Sequence, residues 1–408
     1  MERRIVITGI GVVTPIGTGC EEFWTNLIEG RSGIAPVQSF DTSNYDVHRG
    51  AEVKEFNAEE YILNLDAAHL GRASQFAIAA ARLALADAGV EIGSLDRKRA
   101  GVSMGTTSGE PREVERFDDA YVSKKLDRIG PEFLALYPCH VIAAHVASEL
   151  NFAGVNIMIP TACAAGNYAI AHALDVMRAE RADLMLAGGS DAFSRITFTG
   201  FARLGAVAPE TCQPFNRFRK GMIPGEGAGV LVLEPFDRAR RRGARIYAEV
   251  GGYGLSCDAH HMTAAHPQGD GAKRAMQQAL TDSKTKPEDV SYISAHGTGT
   301  LTNDRLETIA VKRLFKDAAY RIPISSIKSM LGHTMGAASA IEAAVCALAV
   351  FNDRVPPTIN LNDPDPDCDL DYVPNFAREM RVNVAMNNAY AFGGNNASLI
   401  LKKRELLN

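Results

Sequence analysis

Short apolar runs alternate along the chain with longer stretches rich in small residues. Ile5-Val6-Ile7, Leu184-Met185-Leu186 and Val230-Leu231-Val232-Leu233 are continuous and apolar, the pattern of strands buried on both faces. Residues 77–88 read AIAAARLALADA, with no breaker inside and Gly89 directly after, which predicts a helix and its stop. Residues 337–351, mainly Ala and Val, predict a second long helix. Strand and helix in alternation point to an α/β layered fold.

Two stretches share one plan: TACAAGNYAIAHALDVM at 161–177 and LGHTMGAASAIEAAVCA at 331–347. In each, a reactive or polar residue precedes a tight Gly/Ala turn and an Ala-rich helix. This hints at internal duplication and sets Cys163 and His333 just before two helices. A division near Gly243 gives halves 1–243 and 244–408. No Pro/Gly/Ser linker separates them, so tight packing is expected. The basic run DRARRRGAR at 237–245 reads first as a solvated helix end.

With 46% hydrophobic residues over 408 positions, the chain can bury a large core. A net charge of −5 argues against a dedicated nucleic-acid binder. The start, MERRIVITGIG, has no apolar signal core, and the longest apolar runs look too short to span a bilayer. Seven cysteines with no CxxC pair suggest a reduced, cytoplasmic protein and neither a disulfide scaffold nor a zinc module.

The candidate chemistry is concentrated at a few positions. Cys163 in TACAAG precedes helix-forming sequence, where unsatisfied N–H groups and the helix dipole are expected to lower its pKa. His296 in SAHGTGT and His333 in SMLGHTMG each lie in a glycine turn after a strand-like segment. Lys328 and Glu342 flank His333 at spacings that suit either a buried ion pair or two surface charges. Tyr390-Ala391-Phe392-Gly393-Gly394 implies a tight turn able to present N–H groups to an oxyanion, or a plain β-turn. Other patterns carry little. Gly9-Ile10-Gly11 lacks the third glycine of a dinucleotide fingerprint. The adjacent His260 and His261 tend to point apart, which disfavours a metal site. Neither a P-loop nor HExxH occurs.

Taken together these residues resemble the β-ketoacyl-acyl-carrier-protein synthases of the thiolase superfamily, most closely the synthase II type. The likeness runs end to end through RRIVITGIGVVTPIG, TACAAG, AGGSDAF, GEGAG, SCDAHHMTAAHP, HGTGTLTND, SSIKSMLGHTMGAA, PPTINL and AFGGNNASL. It implies an α/β, thiolase-like, duplicated five-layer αβαβα fold and decarboxylative Claisen condensation. Cys163 matches the acyl-accepting nucleophile, and His296 and His333 match the pair that binds the malonyl thioester carbonyl. Lys328 and Glu342 match the supporting pair. The N–H groups of Cys163 and Phe392 match the oxyanion hole. Thr263, Thr298, Thr300, Ser108, Tyr390 and Phe392 match substrate-contacting positions, Phe392 also an entry gate. No cofactor or metal is implied, since the phosphopantetheine arm belongs to the acyl carrier protein. That acidic carrier is the expected partner, with Arg72, Arg203, Arg217, Arg219 and Lys220 in docking regions. The family is normally homodimeric; pairing with a paralogous subunit is the other arrangement. No membrane partner is implied.

Three departures bear on the primer. Ser108 stands where synthase II proteins commonly carry a bulky aliphatic pocket residue, Tyr390 replaces a common Phe, and Lys220-Gly221-Met222-Ile223-Pro224 replaces an Asp-Gly-Phe-Val stretch. They leave fatty-acid and polyketide or polyene synthesis both open. A chain-length-factor-like subunit is the alternative reading, disfavoured because such partners typically lack the cysteine. Thiolases and initiating synthases replace one histidine, and a nicotinamide enzyme would rest only on the imperfect glycine motif.

Overall fold

The apolar runs become strands of one central sheet. A computed structural model describes residues 3–403; Met1, Glu2 and residues 404–408, the outermost positions of the two expected halves, lie outside the described residues. In the first half β1 (Ile5–Thr14), β2 (Ala100–Gly105), β3 (Asn156–Ile159), β4 (Leu184–Asp191) and β5 (Gly227–Pro235) lie in the spatial order β3-β2-β4-β5-β1. β2 runs parallel to β3 and β4, and β5 runs antiparallel to β4 and β1. In the second half β6 (Ala248–Cys257), β7 (Tyr292–Ser294), β8 (Ile324–Ser325), β9 (Val384–Tyr390) and β10 (Asn395–Lys402) repeat the plan as β8-β7-β9-β10-β6. The directions repeat as well. The two units join where Val6 and Ile7 pair with Glu249 and Ala248. A short strand, Gly17–Thr18, folds back on β1.

Six helices layer this sheet: α1 (Arg72–Asp87), α2 (Val141–Leu150), α3 (Ala165–Arg178), α4 (Asp270–Asp282), α5 (Leu301–Phe315) and α6 (Ala338–Asn352). α1 and α2 cover one outer face, α4 and α5 the other, and α3 and α6 pack on each other between the sheet units. The result is the five-layer αβαβα arrangement. α6 is apolar on nearly every side, Ser339 and Glu342 excepted, because it has no solvent face; every residue from Ala338 to Val350 is buried. That corrects the expectation that no apolar run reaches bilayer length. Met335–Asn352 is long and apolar enough to cross a membrane, yet 89% of it is buried inside the structure, as befits a core helix.

The repeat register differs from the one suggested by spacing. A 3₁₀ turn, Ala162–Ala164, precedes α3, and another, Met335–Ala337, precedes α6. Ala162 (φ 49°) and Met335 (φ 55°) open these turns in the left-handed region, a strain of about 1–3 kcal/mol for a residue with a side chain. Residue 162 therefore matches 335, so Cys163 lies within its turn while His333 precedes the other.

α3 and α6 touch at Gly166, where a Cβ would come within 2.5 Å of the Ala340 nitrogen and 2.8 Å of its Cβ. Gly166→Val is expected to wedge the helices apart and to destabilise the protein by about 1–3 kcal/mol or more. Thermal unfolding by circular dichroism checks this, and an unchanged melting temperature would contradict the packing described.

Candidate active site

Three turns deliver the reactive side chains to one cavity of about 220 Å³ lined by Cys163, His296, His333, Thr263, Thr298, Thr300, Tyr390 and Phe392 among others. Cys163 arrives in the strained turn before α3. Gly105, closing β2, has no Cβ to collide with the Ala165 carbonyl, which lets the strand end lie against that turn. His296 follows β7 in a turn with Gly297 (φ 35°) and Gly299 (φ 78°). His333 is held by its backbone, with its N–H donating to the Ile223 carbonyl at 2.6 Å and its carbonyl accepting from Gly225 N–H at 2.9 Å. The two imidazole rings lie 5.5 Å apart at 82°.

Both histidines are neutral. Burial, then the Lys328 charge, then His333, push His296 well below the usual histidine range; burial and Lys328 do the same to His333. The Met335 N–H donates to His333 Nδ1 at 3.1 Å, which places the ring proton on Nε2. Among the described residues His296 Nδ1 has no hydrogen-bond partner.

The expected low pKa of Cys163 is not what the structure gives. Burial pushes the thiol up to about 12, against a downward pull from Lys328, and Asp191 adds to the rise. Desolvation of the charged form outweighs the favourable position at a helix start, so the resting group is a thiol.

Lys328 and Glu342 form a buried ion pair, each side chain 1% exposed. Burial raises the Glu342 carboxyl to about 7 while Lys328 opposes it, and Oε2 has no partner among the described residues. Thr298 and Thr300 share a hydrogen bond of 2.9 Å between their hydroxyls, and Thr300 also caps α5 by accepting from Asn303 N–H. Tyr390 is buried with its ring 5.7 Å from that of His296. Phe392 is 40% exposed at the mouth, 6.0 Å from the Phe201 ring, followed by Gly393 (φ 84°) and Gly394 (φ 79°).

Two groups of sequence-nominated residues fall elsewhere. Ser108 does not line this cavity; its N–H donates to Asp191 at 3.0 Å in the loop after β2. Arg72 and Arg219 are not free for docking. Arg72 is spent on Glu226 at 2.8 and 3.0 Å, and Arg219, with its side chain 1% exposed, pairs with Asp365 at 2.5 Å and Asp304 at 3.5 Å. Arg219 also donates to the Thr300 and Leu301 carbonyls, bracing the threonine turn from below. Arg203, Arg217 and Lys220 are exposed.

Buried carboxylates were the main omission. Glu307 accepts the His296 and Gly297 N–H groups at 2.9 and 2.8 Å, and Asp304 accepts those of Phe215 and Gly299. Their i, i+3 spacing at the start of α5, directly after a glycine turn, was the available signal. Asp191 is the third, fully buried at the end of β4.

This geometry gathers a buried thiol and two histidines held neutral on one cavity, a class of site suited to thioester chemistry through an enolate. The chain belongs to the β-ketoacyl synthase family: residues 2–239 match the β-ketoacyl synthase N-terminal domain and 247–362 the C-terminal domain. It is 41% identical to the 3-oxoacyl-[acyl-carrier-protein] synthase 2 of Synechocystis sp., over 98% of both chains. It is 40% identical to the enzyme of that name from Staphylococcus aureus, over 99% of both. Among solved structures it matches a chain of the ishigamide ketosynthase/chain length factor with TM-score 0.95 and 42% identity, covering 99% of this chain and 100% of that one. It matches a chain of AntDE:AntF, a type II polyketide ketosynthase with its acyl-carrier protein, with TM-score 0.91 and 34% identity over 99% and 100%.

Lys328→Met is expected to strand the Glu342 carboxylate and cost about 3–5 kcal/mol, whereas Lys328→Met with Glu342→Leu recovers most of that loss. Denaturant unfolding of the three proteins measures it; a single variant as stable as wild type would contradict the pairing.

Proposed function

We propose that the protein is a 3-oxoacyl-carrier synthase, an acyltransferase that extends a Cys163-bound acyl group with a malonyl unit carried by acyl carrier protein. The observation that carries this reading is the convergence of Cys163 and two neutral histidines on one cavity. In the first half-reaction Cys163 sulfur attacks the acyl thioester carbonyl. The developing oxyanion takes N–H donation from Cys163 and Phe392, the carrier sulfur leaves, and the thiol proton goes with it. In the second, His296 and His333 donate to the malonyl thioester carbonyl. The bond to the carboxylate breaks, CO2 departs, and its electron pair becomes an enolate held by the two donors. The enolate carbon attacks the acyl-Cys163 carbonyl, forming the new C–C bond and expelling the cysteine sulfur, which regains a proton.

The cavity's composition favours decarboxylation. None of its lining residues among those described is Lys or Arg. A malonyl carboxylate would therefore be desolvated with no cation lining the cavity to meet it, and losing CO2 relieves that. Neutral histidines suit an enolate because an N–H stabilises it without protonating carbon. Thr298 and Thr300 would hold the pantetheine arm, which the carrier brings with it, so the enzyme needs no cofactor of its own. The exposed Arg203, Arg217 and Lys220 would meet the acidic carrier. β3 is an open sheet edge with half-buried Ile157, Met158 and Ile159, which supports pairing with a second copy or a paralogous chain in the cytoplasm. Cys163 disfavours a chain-length-factor role for this chain.

Intact mass spectrometry with acyl- and malonyl-carrier proteins tests the reading. Wild type should gain acyl mass and release a carrier product longer by one decarboxylated malonyl unit, and Cys163→Ala should gain none; no acylation from any primer would refute it. The 15N shifts of His296 and His333 should stay those of neutral rings as pH falls through 6.5, because burial pushes both well below the usual histidine range. A change to imidazolium shifts centred on 6.5 would show at least one histidine to be solvated and cationic there.

A further inference from the structure

Asp191 closes β4 with its carboxylate fully buried, and it takes four hydrogen bonds from two different segments. Oδ1 accepts from Thr106 Oγ1 at 2.8 Å and from Ser108 N–H at 3.0 Å. Oδ2 accepts from Thr107 N–H at 2.8 Å and from Gly336 N–H at 2.7 Å. The first three donors belong to the loop that follows β2; the fourth belongs to the turn that opens α6. These segments touch at glycine: a Cβ on Gly336 would lie 2.6 Å from the Thr107 nitrogen, and one on Gly189 would lie 2.6 Å from the Gly336 carbonyl oxygen.

Gly336 directly follows Met335, whose left-handed backbone aims its N–H at His333 Nδ1. That bond is what sets the His333 proton on Nε2. A left-handed Met is not a conformation the residue keeps unaided. The Gly336–Asp191 bond is the buried, charge-assisted anchor one peptide further along. We infer that Asp191 is a positioning residue for the condensation: by fixing the Met335–Ala337 turn it fixes the tautomer of His333, and with the same carboxylate it clamps the 106–108 loop. This deepens the proposed function and rests on its assignment of His333 as an enolate-stabilising donor.

Asp191 also acts on Cys163, since its charge is one of the influences holding that thiol up. Removing the charge without changing the shape should lower the pH at which Cys163 becomes a thiolate. A purely mechanical loosening of the turn would not move that midpoint in this direction.

The test uses Asp191→Asn beside Thr106→Val, which removes one loop-side donor and leaves the Gly336 bond intact. Three readouts apply: decarboxylation of malonyl-carrier protein by the acylated enzyme, the pH midpoint of Cys163 alkylation by iodoacetamide, and the His333 tautomer by 15N NMR of histidine-labelled protein. Asp191→Asn should slow decarboxylation by about tenfold to a hundredfold with little change in KM. It should also lower the alkylation midpoint and give His333 a mixture of Nδ1–H and Nε2–H forms. Thr106→Val should leave the tautomer and decarboxylation near wild type. Should Asp191→Asn not fold by circular dichroism, Asp191→Ser replaces it with the same expectations. A folded Asp191 variant with wild-type decarboxylation and a single Nε2–H tautomer overturns the inference. Wild-type protein that does not decarboxylate malonyl-carrier protein at all overturns the functional reading instead.

Discussion

The site exists because two helices pack together near their N-termini, and against the strand ends beside them, with almost nothing between the backbones. At the N-termini of α3 and α6, Gly105 lies on Ala165, Gly166 on Ala340, and Gly189 on Gly336, each at a separation that a single added carbon would violate. Only at that spacing can the turn bearing Cys163 and the segment bearing His333 open into the same small cavity. The small residues at these positions are therefore a geometric requirement of the chemistry and not simply helix filler. Alanine-rich helices are also cheap to order, because Ala loses no side-chain rotamers on burial. α6 can thus be buried from Ala338 to Val350 on every face.

Charge is the second constraint. Carboxylates at Asp191, Glu226, Glu307 and Glu342 sit in the interior, and burial raises Asp191 to about 6 and Glu307 to about 7. A buried carboxylate is tolerated only with strong donors around it. Here the donors are mostly backbone N–H groups of loops and turns, those of the His296 turn and of the turn opening α6 among them. Glu307 takes two from the His296 turn, Asp191 takes three from the loop after β2 and the α6 turn, and Glu226 takes Val53 and Phe193 N–H beside Arg72. The loops are irregular and would otherwise leave these groups unpaired. The carboxylates replace the missing ladder, and they do it with bonds stronger than the ladder's.

That division explains what the sequence could convey. Strand positions, the helix at 77–88 and the buried helix after His333 were legible because period and apolarity are local properties. Cys163, His296 and His333 stood out because reactive side chains in glycine turns are chemically unusual. Glu342 was nominated with Lys328, but Asp191, Asp304 and Glu307 were passed over: a buried Asp and an exposed Asp look the same in a chain, and what separates them is which distant N–H groups converge on them. Arg219 failed for the same reason. It reads as a surface cation beside Arg217 and Lys220, yet its partners Asp304 and Asp365 lie far along the chain. The cysteine pKa ran against local reasoning too, since a helix start favours thiolate only where burial does not cost more.

The repeat itself shows how the two halves came to differ in task. Matching residue 162 to 335 sets Cys163 opposite Gly336 in equivalent turns. One turn keeps a side chain, the thiol that attacks carbonyl carbon in the proposed reaction. The other gives up its side chain altogether, because a Cβ at Gly336 would strike both the 106–108 loop and Asp191. What the second turn offers instead is backbone: the Met335 N–H to His333 and the Gly336 N–H to Asp191. The second half therefore moves its reactive group three residues upstream, onto an extended segment held by Ile223 and Gly225, and uses the turn to orient it. A symmetric scaffold thereby yields an asymmetric site, with a thiol from one copy and an oriented imidazole N–H from the other, which is what the proposed reaction between two different thioesters demands.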